Sequence, residues 1–321
     1  MSDSAVHSLA GAAGGIVAML ATYPLIVLST RAAVETQNDD KTVIQVGFDT
    51  VKREGVRGLY NGLSSSLVGV AVTNGVYYYF YERSRSIILD SRAGSKALST
   101  LESILAGLIA GSATAIISNP IWVIQTSQAV QSAGTTLPDP SASKPRKIGA
   151  VETIEKIISK DGLAGFWRGI GPALVLVINP IIQYTVFEQL KNAVIKSRTA
   201  KLRVNRQGST VAVLGDWDFF ILGALSKLVA TGITYPYIVV KNRLQAGQVH
   251  AEQYKSSFQG LSTILKEEGL RGLYKGSGSK LLQSVLTAAI LFAGQKRIYE
   301  LTKKAVSSLA KPATRTVVKQ S

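Results

Sequence analysis

Lys227 is the only charged residue near the middle of any long apolar stretch of this chain. A cation at that depth in a bilayer is costly and ordinarily faces a cavity or a partner. No Asp or Glu lies at matching depth, so an anionic ligand is the natural counter-charge. Snorkelling to the interface is the competing use, but nine positions separate Lys227 from Pro236, too far for easy escape. Lys280 lies nearer one end of another apolar stretch, where it could also be an interfacial anchor. Asn74, Asn179, Gln183, Gln283 and Thr287 supply amides and a hydroxyl able to read a purine base. Tyr77, Tyr78 and Tyr79 offer faces for stacking. Each polar or aromatic group also suits helix contact or an interfacial belt. The chemistry on offer is recognition of an organic anion.

Bond-breaking chemistry is not expected. His7 and His250 are the two histidines and cysteine is absent, which excludes disulfides, thiolate metal sites and a cysteine nucleophile. No Gly-rich loop ends in Lys-Ser/Thr. The expectation is no enzyme, no metal and no cofactor. Charged residues are 17%, below the ~25% of an average globular domain, mean hydropathy is +0.20, and net charge is +16. Sparse charge with a basic excess fits a membrane protein with cationic loops. A nucleic-acid binder would concentrate Lys and Arg on a soluble face, so no nucleic-acid partner is expected.

A membrane helix needs ~20 mostly apolar residues. Six stretches qualify, at about 8–29, 63–85, 101–126, 170–191, 217–241 and 278–299. Their Gly, Ser, Thr and Asn content suits helices that pack closely or line a wet cavity. Buried helices of a soluble bundle are the alternative; length and uncharged centres weigh against it.

The stretches come in three pairs. The odd ones reach Pro24, Pro120 and Pro236, within YPLIVLSTR, NPIWVIQTS and YPYIVVKNR. Each then leads to a second motif: EGVRGLYNG (54–62), DGLAGFWRG (161–169) and EGLRGLYKG (268–276). Gly55, Gly162 and Gly269 are 107 residues apart both times. The odd stretches also share a four-residue step, Gly11 to Gly15, Gly107 to Gly111 and Gly223 to Lys227, which favours close helix approach.

These motifs resemble the mitochondrial carrier (solute carrier 25) family, over about 8–300. The resemblance implies an all-α integral membrane fold. Six transmembrane helices would form a barrel of three pseudo-symmetric repeats with short helices on the matrix or lumenal side, both termini cytosolic, and a central site open to each side in turn. The repeats would be 1–100, 101–200 with a flexible insertion at about 129–147, and 201–300, followed by a basic cytosolic tail, 301–321. NPIWV (119–123), VINPIIQY (177–184), SKLVATGITYP (226–236) and KLLQSVLTAA (280–289) look like the fungal peroxisomal adenine nucleotide carriers. More distantly they look like carriers of NAD, FAD, CoA and folate.

Proline in a membrane helix frees a carbonyl and permits a kink. Three kinks at one depth would draw the odd helices into a constriction; otherwise the prolines simply end the helices. In the family an acid two residues after each proline bonds a base of the next repeat. Here Ile26, Trp122 and Ile238 hold the acid slots, and Ser29, Gln125 and Lys241 the first base slots. The expected lumenal gate is an apolar plug of Ile26, Trp122 and Ile238. Arg31, Lys241 and Arg243 would lack carboxylate partners and form an anion-attracting floor. The resemblance puts a cytosolic gate at Tyr81, Glu82 and Arg85 and at Phe187, Glu188 and Lys191. In the sixth helix Lys296 holds the acid slot, and Tyr299, Glu300 and Lys303 follow a turn later. Plain i,i+3 pairs on a solvated rim are the alternative.

The first residues, MSDSAVHSLAGAAGG, have neither a secretory hydrophobic core nor an Arg-rich presequence pattern. VVKQS is not a peroxisomal matrix address of the SKL type. Basic residues cluster at 192–215 (Lys196, Arg198, Lys201, Arg203, Arg206) and after 300 (Lys303, Lys304, Lys311, Arg315, Lys319). They set topology, gather nucleotides, hold anionic lipid headgroups, or meet a peroxisomal membrane-protein import receptor. The function this resemblance implies is exchange of cytosolic ATP for lumenal AMP or ADP across the peroxisomal membrane. The alternatives are carriage of CoA, FAD or NAD in peroxisome or mitochondrion, and a membrane scaffold of carrier fold.

Overall fold

The computed structural model describes residues 3–34, 43–91, 97–131, 149–204, 213–247, 254 and 256–290. Among them every regular element is helical. In a hydrocarbon layer this follows from the backbone, because a helix satisfies its own N–H and C=O groups. The elements are α1 (Asp3–Val34), α2 (Val43–Glu54), α3 (Leu63–Asp90), α4 (Thr100–Gln131), α5 (Ala150–Asp161), α6 (Ile170–Val175), α7 (Asn179–Val204), α8 (Asp216–Ala246), α9 (Ser257–Leu273) and α10 (277–290). The described residues form two compact units, 3–22 with 285–290, and Tyr23–Ser284.

Pro24, Pro120 and Pro236 lie inside α1, α4 and α8. The helices therefore run on for two to three turns past each proline rather than ending there. Four described segments have the length and composition to cross a membrane: Gly14–Val34, Thr100–Val130, Leu163–Leu202 and Asp216–Ala246. The stretch at 63–85 lies within α3, a single 28-residue helix, about 42 Å long at ~1.5 Å per residue. Its serines, tyrosines and charged end keep it out of the apolar set. Of the sixth stretch, 278–290 lies within α10, and the rest is outside the described residues. The insertion at 129–147 is also largely outside them, as is the tail.

Local sequence sets the helix ends. Ser99 and Glu102 form a capping box at the start of α4: Ser99 N–H donates to Glu102 Oε2 (2.8 Å) and Glu102 N–H to Ser99 Oγ (3.4 Å). Ser256 Oγ accepts from Gln259 N–H (3.2 Å) at the start of α9. The short helices α2 and α5 lead into the first two copies of the second motif, and α9 runs on into the third, broken at Gly269, where φ is 67°. α5 buries Ile157 against Val123 and Phe166. α9 buries Ile264 among Tyr235, Val239, Val240 and Leu273. Position 50, 107 residues before Ile157, holds a buried threonine instead.

The expected fourth span, 170–191, is not one helix. α6 gives way to a 3-10 turn at Leu176–Ile178 before α7 begins. A methyl on Gly111 would lie 2.5 Å from Val177 Cγ1, so this glycine of α4 makes room for the turn. Gly107 faces the Tyr77 hydroxyl, whereas Gly15 and Gly223 have no such neighbour within 4 Å. Among the described glycines of the step, close approach is seen in α4; the surroundings of Gly11 lie outside the described residues. α7 continues to Val204, so Lys196, Arg198 and Lys201 sit on a helix and not in a loop.

Candidate functional site

At the proline end of unit Tyr23–Ser284, α1, α4 and α8 are joined by a closed circuit of three hydrogen bonds. Arg31 Nε donates to the Ala129 carbonyl (2.7 Å), Ser127 Oγ to the Gln245 carbonyl (3.2 Å), and Arg243 Nε to the Ala33 carbonyl (3.0 Å). Each donor stands seven residues after its proline, and each acceptor nine after the next proline in the circuit. All three donor side chains are buried. Two links carry a guanidinium and one a hydroxyl. Around the hydroxyl link, Thr126 Oγ1 donates to Gln245 Oε1 (3.2 Å) and Gln245 Nε2 to Asn119 Oδ1 (3.1 Å).

The expectation that Arg31 and Arg243 lack carboxylates is overturned. Arg31 Nη1 and Nη2 clamp Glu54 at 2.8 and 3.0 Å, and Nη1 also donates to Thr50 Oγ1 (3.1 Å). Arg243 forks onto Glu268, with Nη2 at 2.9 Å. These acids open the second motif, rather than following the prolines. Asp161, their counterpart, lacks such an arginine because Ser127 holds the slot, and it pairs with Arg168 instead. The residue before the motif's last glycine reaches the acid in every copy: Asn61 Nδ2 to Glu54 (3.2 Å), Arg168 to Asp161, and Lys275 to Glu268 (3.0 Å). Burial works to raise the Glu268 carboxyl, but its bonds to Arg243 and Lys275 overcome this and hold it below the usual glutamate range.

The residue before each proline ties its helix to the same corner. Tyr23 OH donates to the Asn61 carbonyl (3.0 Å), Asn119 Nδ2 to the Arg168 carbonyl (3.1 Å), and Tyr235 OH to the Lys275 carbonyl (2.9 Å). Tyr60 stacks on Tyr23 and Tyr274 on Tyr235, with ring centroids 6.1 and 6.0 Å apart. Asn119 has no ring, and Trp167 uses its indole N–H to bond the Ile116 carbonyl (3.0 Å). That carbonyl is four residues before Pro120, the acceptor a proline strands. The corner glycines have positive φ, 81°, 75° and 78° at Gly62, Gly169 and Gly276. A methyl there would meet the carbonyl oxygen of Gln125 (3.1 Å), Lys241 (3.1 Å) or Ser29 (2.5 Å), the first base slot of a neighbouring odd helix.

The expected plug residues have individual surroundings. Ile26 is half-buried. Trp122 lies beside Gly69 of α3 and donates its N–H to Thr73 Oγ1 (3.1 Å). Ile238 packs against the Val239–Val240 cluster. Gln125 is buried, with Nε2 3.4 Å from Tyr23 OH.

Lys227 Nζ donates to Asn179 Oδ1 (3.3 Å), and Asn179 Nδ2 donates to Thr234 Oγ1 (2.7 Å). Lys280 is within Coulombic reach of both Lys227 and Lys241. No carboxylate pairs with these three lysines among the described residues. Gln183 and Gln283 are half-buried, and Asn74 is exposed. Thr287 Oγ1 lies 3.2 Å from Thr22 Oγ1, both in the other compact unit. Tyr77 is half-buried and stacks on Tyr81 at 5.9 Å, while Tyr78 and Tyr79 are 66% and 67% exposed.

At the opposite end the expected gate residues pair within their own helices. Arg85 lies 3.5 Å from Glu82 on α3, and Lys191 lies 2.5 Å from Glu188 on α7 and 5.9 Å from the Phe187 ring centroid. Phe187 stacks on Phe219 of α8 at 6.3 Å. Arg198 and Asp218 form a forked pair joining α7 to α8, at 2.5 and 2.6 Å. Lys296, Tyr299, Glu300 and Lys303 lie outside the described residues.

Sequence reasoning missed the roles of Ser127, Gln245, Glu54, Glu268 and the trio Asn61, Arg168 and Lys275. The 107-residue period was the available signal, since Asn61, Arg168 and Lys275 follow it as strictly as the glycines do.

A family profile described as mitochondrial carrier protein matches residues 2–92, 96–198 and 215–308. The chain is 36% identical over 337 residues to the peroxisomal nicotinamide adenine dinucleotide carrier of Arabidopsis thaliana, covering 96% of this chain and 99% of that protein. It is 32% identical over 389 residues to the peroxisomal membrane protein PMP47B of Candida boidinii, covering 95% and 88%. It is 30% identical over 309 residues to the peroxisomal membrane protein PMP34 of Mus musculus, covering 94% of each.

Proposed function

The chain belongs to the mitochondrial carrier family, and on that premise we propose that it carries adenine-containing nucleotides across the peroxisomal membrane by alternating access. The observation that carries this reading is Lys227: an ammonium inside an apolar helix, held by a neutral amide and paired with no carboxylate among the described residues. Phosphate oxygens complete its charge. Lys280 adds a second cation to the same field, and the half-buried Gln183 and Gln283 offer amides to the base or ribose.

In its finer form the proposal is exchange of cytosolic ATP for lumenal AMP or ADP. The hydrogen-bonded circuit at the proline end is the lumenal gate, closed, with Arg31, Arg243, Gln125 and Lys241 among its parts. The i,i+3 pairs on α3 and α7 are the cytosolic gate with its interhelical bonds unmade. Substrate binding offsets the cost of breaking the closed gate only if it binds the intermediate state more tightly than either end state. A second reading, carriage of NAD, is favoured by the 36% identity to a protein named as a peroxisomal NAD carrier. NAD presents the same adenine and two of the same phosphates.

Purified protein in liposomes preloaded with ATP, AMP, NAD, CoA or FAD, followed by uptake of each labelled compound, separates these readings. ATP uptake that needs internal AMP or ADP supports the first, and NAD uptake the second. Exchange of none of the five anions overturns the transport reading in favour of a scaffold of carrier fold.

A further inference from the structure

We propose that Asn179 is a positioning residue for Lys227, and that the short turn before it exists to bring its amide there. The inference deepens the proposed function, and rests on it only for the identity of the ligand.

The argument begins with chain length. From the corner glycine to the acid of the far-end motif, Gly169 to Glu188 is one residue shorter than Gly62 to Glu82. A continuous α-helix would come up ~1.5 Å short. The 3-10 turn at Leu176–Ile178 supplies the difference, because three residues rising ~2.0 Å instead of ~1.5 Å gain about 1.5 Å. Pro180 fits the break, since its ring strands the Leu176 carbonyl and a continuous α-helix would lose that bond. Val177, in the turn, sits over Gly111 of α4, where a methyl would be 2.5 Å away. The turn is thus seated from outside α7, and Asn179 is the first residue beyond it.

The amide of Asn179 is fixed at both ends. Its Nδ2 donates to Thr234 Oγ1, whose own proton is committed to the Ala230 carbonyl (2.9 Å). This bond settles which amide atom faces Lys227: Oδ1, the acceptor. Lys227 and Thr234 are seven residues apart on one face of α8, about 10.5 Å along its axis. One asparagine amide can reach both only if the lysine stem runs toward the proline end. That direction brings the ammonium toward Lys280, which repels it. Asn179 therefore holds Lys227 against a like charge. A neutral acceptor leaves the positive charge available to a ligand, where a carboxylate would cancel it.

The test compares Asn179→Asp, Asn179→Ala and Lys227→Ala with the unaltered protein in detergent. One readout is the extent of labelling of Lys227 by an amine-reactive reagent, quantified by mass spectrometry. The other is thermal stabilisation by inorganic pyrophosphate. Asn179→Asp should pair with the ammonium and lower both readouts, with apparent pyrophosphate affinity falling roughly tenfold. Asn179→Ala should release the ammonium, raising labelling while weakening pyrophosphate. Opposite labelling changes for the two variants are an outcome that a merely structural asparagine does not produce. Labelling unchanged in both variants, with melting temperatures close to that of the unaltered protein, overturns the proposal. If labelling responds as expected but Lys227→Ala leaves pyrophosphate stabilisation intact, the positioning role stands and the anion-site reading of Lys227 falls.

Discussion

Arg31 and Glu54 form a buried, forked ion pair, with side chains 3% and 8% exposed, while the Nε–H of the same guanidinium holds the Ala129 carbonyl of another helix. One side chain thus braces its own repeat and closes a joint with the next. Glu54→Ala should destabilise the protein by about 3–5 kcal/mol, because it strands a buried guanidinium. Arg31→Lys should also destabilise, since a single ammonium cannot reproduce the planar fork. Thermal unfolding in detergent measures both.

Gly276→Ala and Gly223→Ala should have opposite signs. At Gly276 φ is 78° and the new methyl meets the Ser29 carbonyl oxygen at 2.5 Å. The left-handed backbone alone costs ~1–2 kcal/mol, and the clash adds to it. At Gly223, inside α8, nothing lies within 4 Å. Alanine there should stabilise by up to ~1 kcal/mol through helix propensity. Melting temperatures of the two variants should fall on either side of that of the unaltered protein.

The Glu268 carboxyl titrates below its ordinary value when folded. A depressed carboxyl contributes stability above the unfolded pKa, ~4.3 for glutamate, and loses it as pH falls through the folded value. Thermal stability should therefore drop below about pH 4.3, and Glu268→Gln should flatten that part of the profile while lowering stability near neutrality.

Trp167→Phe should cost about 0.5–1.5 kcal/mol, the usual net worth of one hydrogen bond. It leaves the Ile116 carbonyl, already abandoned by Pro120, without the indole N–H. Tyr60→Phe changes no bond of this kind and should be milder in the same unfolding assay.

Lys227→Ala should abolish nucleotide uptake in liposomes while leaving the melting temperature within a few degrees. Lys280→Ala should weaken uptake less, because Lys280 contributes field rather than a held ammonium. Equal uptake by Lys227→Ala and the unaltered protein sinks the site.

The parts that carry a periodic signal were legible from the residues alone. Prolines 24, 120 and 236, the 107-residue recurrence and the mid-span Lys227 all stand out in the string. The circuit through Ala129, Gln245 and Ala33 does not, because its acceptors are backbone carbonyls that every residue type shares. The pairing of Arg31 with Glu54 is hidden for another reason: the slots two residues after the prolines hold Ile26 and Ile238, and the acids that meet the arginines belong instead to the second motif, on a different helix. The broken fourth span was half visible. Its one-residue shortfall can be counted, but that a helix absorbs it by tightening at Leu176–Ile178, over Gly111, depends on packing that only coordinates display.

Because every link of the circuit ends on a main-chain oxygen, its receiving half is beyond the reach of any amino-acid exchange. Variation can act only on the donors, and there Ser127 stands where its counterparts are arginines. The latch is consequently tunable from one side only, one letter at a time, and its softest notch is already written into the second repeat.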